Sequence, residues 1–106
     1  MESYTLVFDN VILNQLKKLG KDVHLRKIIS KMLDKIEILG PRAGKLLDTR
    51  LQLYEIKMKH PPIRLYFKIL EAKKEVYVFE YEMKTSQEKQ KKTIKKIKFK
   101  AIELES

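Results

Sequence analysis

Residues 53–67 read Leu53-Tyr54-Glu55-Ile56-Lys57-Met58-Lys59-His60-Pro61-Pro62-Ile63-Arg64-Leu65-Tyr66-Phe67. Leu53 to Lys59 and Ile63 to Leu70 are two runs with the two-residue alternation of strands, in which successive side chains point to opposite faces. His60-Pro61-Pro62 between them cannot continue a ladder. Proline lacks the N–H that a ladder requires and constrains the residue before it, so the segment reads as the loop of a β-hairpin. A third run, Glu75 to Met83, follows the polar turn Glu71-Ala72-Lys73-Lys74. Three consecutive strands with short connections predict an antiparallel meander.

The reading extends outward from this meander. From Ser86 to Glu105 lysine recurs almost to saturation, yet Ile94, Ile97, Ala101 and Leu104 keep a three-four spacing, which predicts an amphipathic helix with one apolar stripe. Ser86 with Glu88 suits its start. Upstream, residues 41–52 read as a loop with some strand character near Lys45-Leu46-Leu47. A helix is expected from near Asp22, with Ile28, Ile29, Met32, Leu33, Ile36 and Leu39 on one face, to the breaker pair Gly40-Pro41. A shorter one spans Val11 to Leu19, with Gly20 at its C-terminal cap. The few residues joining them imply an antiparallel helical hairpin. The β-branched and aromatic run Tyr4-Thr5-Leu6-Val7-Phe8, ending at Asp9-Asn10, reads as a first strand. The order is N-terminal strand, antiparallel helical hairpin, three-stranded antiparallel meander and C-terminal helix. It defines an α+β fold, with helices expected on one side of the sheet and residues 1–106 forming a single domain.

Lys and Arg number 24 against 14 Asp and Glu, a formal net charge of +10, which favours phosphate-rich or acidic partners. The absence of cysteine excludes a disulfide framework, a thiolate zinc site and a cysteine nucleophile. Only His24 and His60 could offer imidazole, and their spacing does not suggest a metal site, so neither metal nor cofactor is expected. The start Met1-Glu2-Ser3-Tyr4 has neither a basic segment nor an apolar core of a leader, and no window approaches 18 apolar residues. A cytoplasmic, soluble protein without a membrane partner is expected; the oligomeric state stays open.

The stretch from Leu53 to Phe67 resembles the middle strands of RelE-like toxins, members of the RelE/ParE toxin superfamily. Its Tyr54-Glu55-Ile56-Lys57 is most similar to the phage-derived HigB-like subgroup, in which such a strand is followed after the turn by an arginine in a strand rich in Tyr and Phe. That subgroup continues with an aromatic strand ending in Lys-Lys-Thr and a basic helix. Here Phe79 to Thr85 reads Phe-Glu-Tyr-Glu-Met-Lys-Thr, so Lys84-Thr85 matches the second half of the motif and Met83 replaces its first lysine. The resemblance covers nearly the whole chain in order and length. It implies the toxin of a type II toxin–antitoxin pair, usually one cleaving mRNA at the ribosome or, in the ParE branch, one inhibiting DNA gyrase. It also implies an antitoxin partner, expected to be acidic, that wraps the toxin with a helix or strand.

Metal-free RNA cleavage proceeds by attack of a ribose 2′-hydroxyl on the adjacent phosphate, and needs a base, an acid for the leaving 5′-oxygen and cations for the developing charge. Arg64 is the candidate phosphate clamp, since a charge between Ile63 and Leu65 must face solvent or a partner. Lys57, across the hairpin, and Lys84 are its companions. Tyr66 and Tyr81 are the catalytic candidates for proton transfer, with Glu80, Glu82 and His60 as further titratable groups. Strand tyrosines also serve as core, and His60 in a proline-rich turn also reads as a plain surface residue. Glu80 and Glu82 share a strand face and repel phosphate unless paired with lysines. RNA-binding contacts are expected from Lys59 and Lys68 on the hairpin and from Lys91, Lys92 and Lys95 on the C-terminal helix. The alternative is a non-catalytic module of the same fold, either a gyrase inhibitor or a degenerate toxin that only binds its antitoxin.

Overall fold

The computed structural model describes residues 3–105. Its elements in chain order are β1 (Thr5–Phe8), α1 (Asn10–Leu19), α2 (Val23–Leu39), β2 (Lys45–Asp48), β3 (Leu53–Met58), β4 (Ile63–Leu70), β5 (Glu75–Met83) and α3 (Gln87–Glu105). The strands form one sheet in the order β1-β5-β4-β3-β2. The expected meander is its centre, with β3, β4 and β5 paired antiparallel. The first strand adds parallel to β5, and the strand character foreseen near Lys45 becomes β2, antiparallel to β3.

Local chemistry sets the helix ends. The Asp9 carboxylate accepts a hydrogen bond from the Val11 N–H (2.9 Å), and that of Asp22 accepts one from the Leu25 N–H (3.0 Å), each satisfying an otherwise orphaned amide. Ser86 does the same for α3, its Oγ accepting from the Lys89 N–H at 3.2 Å. After α2 the chain turns at Gly40, whose φ is +57° and where a Cβ would lie 2.3 Å from the Tyr4 ring. Both the backbone angle and the close approach select glycine.

Helices cover both faces of the sheet, which corrects the expectation of a one-sided arrangement. On one face Ile12 of α1 and Met32 and Ile36 of α2 pack with Ile56, Leu65, Phe67, Val76 and Val78. On the other, Ile97 and Ala101 of α3 pack with Leu53, Tyr66 and Phe79, with Ile94 at the margin. The aromatic side chains that alternate with the first core are too apolar to leave in water. Burying a side chain such as Ile97 contributes roughly 1.5–3 kcal/mol. Leu104, expected in the same stripe, is exposed.

A β-bulge in β5 decides which residues share a face. Tyr66 is opposite Glu80 and Phe67 opposite Val78, so Phe79 is the extra residue. It packs toward α3, and Glu80 also meets α3 through an ion pair with Lys96. Tyr81 is thereby turned to the α1–α2 face, where it packs at the edge of the larger core.

Candidate nucleic-acid interface

The two strands of the hairpin pair so that Lys57 is directly opposite Arg64, and Arg64 is opposite Glu82 on the next strand. Lys84, just beyond β5, is drawn to the same end of the sheet because its N–H donates to the Pro62 carbonyl at 2.8 Å. Between these elements lies a cleft of about 360 Å³ lined by Lys57, Met58, Lys59, His60, Pro62, Ile63, Arg64 and Lys84. Among the described residues, four cations and one imidazole line it and no carboxylate does. Lys57, Lys59, His60 and Lys84 are exposed, while Arg64 is 24% exposed.

Arg64 is held from behind. Its Nη1 donates to both oxygens of Glu55, at 3.1 and 3.0 Å, and that carboxylate is only 4% exposed. Glu55 lies on β3 two residues before Lys57, on the same face and diagonal to Arg64, within reach of a long side chain. The pair fixes the guanidinium while leaving its remaining N–H donors for an incoming phosphate. Sequence reasoning quoted Glu55 without assigning it a role. Its signal was a carboxylate set among apolar residues of a strand that also carries Lys57.

Behind the cleft a polar seam joins the sheet to α3. Tyr66 donates its hydroxyl to Glu82 Oε1 (3.0 Å), and Thr93 of α3 donates to Glu82 Oε2 (2.5 Å). Lys96 Nζ lies 2.9 Å from Glu80 Oε1 as an ion pair, without hydrogen-bond geometry. The two glutamates do lie on one strand face, and their charge is answered by Lys96 and by the Tyr66 and Thr93 hydroxyls. A second hollow, lined by Glu80, Glu82, Lys84, Lys89, Thr93 and Lys96 among others, adjoins the cleft through Lys84.

Three candidate residues are not where the sequence reading needed them. Tyr66 is fully buried, and burial followed by the Glu82 charge pushes its ionisation far upward, opposite to what a base requires. Tyr81 faces α1 and α2 rather than the cleft, because the bulge reverses its side; burial, then the charge of Asp22, raises its ionisation too. Lys68 is fully buried, so it offers no RNA contact. Its Nζ donates to the Leu51 carbonyl at 2.5 Å and pairs with Glu105 at the end of α3. An ammonium whose donors are satisfied internally can be buried. Lys91, Lys92 and Lys95 are exposed on α3 but do not line the cleft.

The β-hairpin, helical pair and covering C-terminal helix form an α+β fold that matches solved RelE structures. The chain is similar to the isolated Escherichia coli RelE toxin, at 27% identity and a TM-score of 0.64, over 89% of this chain and 98% of that one. It is similar to a doubly substituted E. coli RelE in the free state, at 29% identity and a TM-score of 0.65, over 90% and 98% of the two chains. A RelBE toxin–antitoxin complex from Mycobacterium tuberculosis shares the fold, at 20% identity and a TM-score of 0.63, over 81% and 97%. More particularly, these neighbours are RelE toxins, and they support a place for the chain in the RelE/ParE-like superfamily. No family model and no curated protein matches the chain.

Proposed function

We propose that this protein is the toxin of a type II toxin–antitoxin pair and that it is a ribosome-dependent mRNA endoribonuclease, binding RNA through the basic end of its sheet. The observation that carries the reading is the convergence of Lys57, Lys59, Arg64 and Lys84 on one cleft without a lining carboxylate. A phosphate entering it meets the fork of a guanidinium already oriented by Glu55 and several mobile ammonium groups. The same groups stabilise the additional charge of a phosphorane, the term on which metal-free phosphate chemistry depends most. The exposed Lys91, Lys92 and Lys95 extend the positive field along α3 and add affinity with little sequence preference. Similarity to E. coli RelE, also solved as a RelBE toxin–antitoxin complex, supports a cognate antitoxin as the protein partner. The Tyr54-Glu55-Ile56-Lys57 and Lys84-Thr85 motifs favour the HigB-like subgroup within this class.

Induced expression should arrest growth and produce cuts within translated messages, mapped by primer extension. Normal growth with intact messages overturns the reading. Withdrawal of Tyr66 and Tyr81 from the cleft favours one second reading, a non-catalytic module of the same fold. Inhibition of purified gyrase in a DNA relaxation assay, or antitoxin binding without growth arrest, would establish that alternative.

A further inference from the structure

His60 belongs to the cleft, a position that its place in a proline-rich turn concealed. Two features hold it there. Pro61 and Pro62 restrict the backbone that follows it, and the Lys84 N–H hydrogen bond to the Pro62 carbonyl ties the turn to the end of β5. The charged groups around it are Lys57 from β3, Lys59 in the turn just after it, Arg64 from β4 and Lys84 beyond β5. The carboxylates nearest in register, Glu55 and Glu82, are engaged by Arg64 and by Tyr66 and Thr93.

Each other candidate for accepting the proton is set aside by its burial, its facing or its lack of an acceptor. Tyr66 is buried beneath α3, Tyr81 faces the other side of the sheet, and a lysine ammonium or a guanidinium has donors but no acceptor. An imidazole both takes up and returns a proton in the physiological range. Among the described residues it is the one lining side chain of that kind.

Resting on the endoribonuclease reading, we propose that His60 is a catalytic residue of this cleft, the proton acceptor for the attacking ribose hydroxyl. In the step, neutral His60 takes the 2′-hydroxyl proton as the 2′-oxygen forms its bond to phosphorus. The bond from phosphorus to the 5′-oxygen breaks, its electron pair stays on that oxygen, and a cleft ammonium, that of Lys57 or Lys84, supplies the proton. The products are a 2′,3′-cyclic phosphate and a free 5′-hydroxyl. Arg64 and the remaining cations hold the non-bridging oxygens.

The test uses the full chain with translating ribosomes, measuring single-turnover message cleavage for wild type, His60→Gln and His60→Ala between about pH 5 and 8. The turn is exposed, so both variants should melt within a few degrees of wild type. Wild-type cleavage should rise with pH across this range. The variants should lose about 100-fold or more at neutral pH, with the rising limb abolished and ribosome binding retained. Cleavage by His60→Gln within a few-fold of wild type, with the same pH profile, overturns the assignment and leaves the endoribonuclease reading standing. Absence of cleavage by the wild-type protein itself overturns both, so the two failures are distinguishable. Products ending in a 3′-phosphate without any cyclic phosphate intermediate would also overturn the proposed step.

Discussion

Arg64→Ala should unsettle the fold before it affects any ligand. The substitution removes the donor to both oxygens of Glu55, a carboxylate that is only 4% exposed. Breaking a buried pair by deleting one partner destabilises by about 3–5 kcal/mol, because the remaining charge is left desolvated. Here the arginine is 24% exposed, so water can enter the vacated space and partly rehydrate the carboxylate. The expected loss therefore falls below that range, at about 2–3 kcal/mol, and in a domain near 100 residues each kcal/mol lowers Tm by about 4–8 °C. The assay is urea unfolding of wild type, Arg64→Ala, Glu55→Gln and the double variant, combined as a double-mutant cycle. Neutralising Glu55 removes the orphaned charge, so the double variant should recover at least about 1 kcal/mol relative to Arg64→Ala. That stable double variant should still bind RNA weakly, separating loss of the phosphate clamp from loss of the fold. A change below about 0.5 kcal/mol in Arg64→Ala, with no coupling to Glu55, would refute the reasoning, since that is the scale of an ordinary surface substitution.

Lys57→Ala and Lys84→Ala should each weaken RNA binding and reduce its salt dependence by about one phosphate contact, as measured by filter binding across salt concentrations. Lys68→Met, by contrast, should leave that salt slope unchanged while increasing hydrogen exchange at the C-terminal end of α3, because Lys68 links Leu51 to Glu105. Tyr66→Phe should destabilise by about 1–2 kcal/mol through the lost bond to Glu82, yet retain growth arrest on induction; abolished toxicity in a folded variant would return Tyr66 to the chemistry. Asp9 carries a pH prediction. Burial alone would raise its carboxyl, but the Val11 N–H, the Tyr77 hydroxyl and the Lys100 ammonium outweigh it and hold the carboxyl below the ordinary value of 3.8. A depressed folded-state value means that Asp9 contributes stability above pH 3.8 that is lost as pH falls through the lower folded value. Asp9→Asn should therefore flatten the acid limb of a stability–pH profile, and an unchanged limb would contradict the assigned bonds.

Much of the fold was legible because it rests on local pattern. The Pro-Pro loop between alternating runs, the three-four spacing of Ile28 to Leu39 and the Gly40-Pro41 stop are properties of neighbouring residues, and β3, β4 and α2 follow from them. The antiparallel pairing of β3 with β4 was equally legible from the short loop, whereas the register that sets Lys57 opposite Arg64 came only with the structure. Tyr81 was not. One inserted residue at Phe79 reverses the side of every following position in β5, and the sequence carries no mark of where the bulge falls. Lys68 misled for a related reason: a lysine on a strand reads as exposed unless a carbonyl and a carboxylate from distant segments, Leu51 and Glu105, are known to meet it.

The sequence by itself determined the strands and helices, their order, the sign of the surface charge and the hairpin that presents Lys57, Lys59 and Arg64, because each depends on spacing within a short window. Only the tertiary structure decided which charges remain available. α3 lies over the second face of the sheet and covers Tyr66 and Lys68, Glu55 takes hold of Arg64, and the Pro62–Lys84 hydrogen bond brings His60 and Lys84 to one cleft. These outcomes depend on residues far apart in the chain, whose burial and pairing are fixed by packing across the sheet and not by any neighbour in sequence.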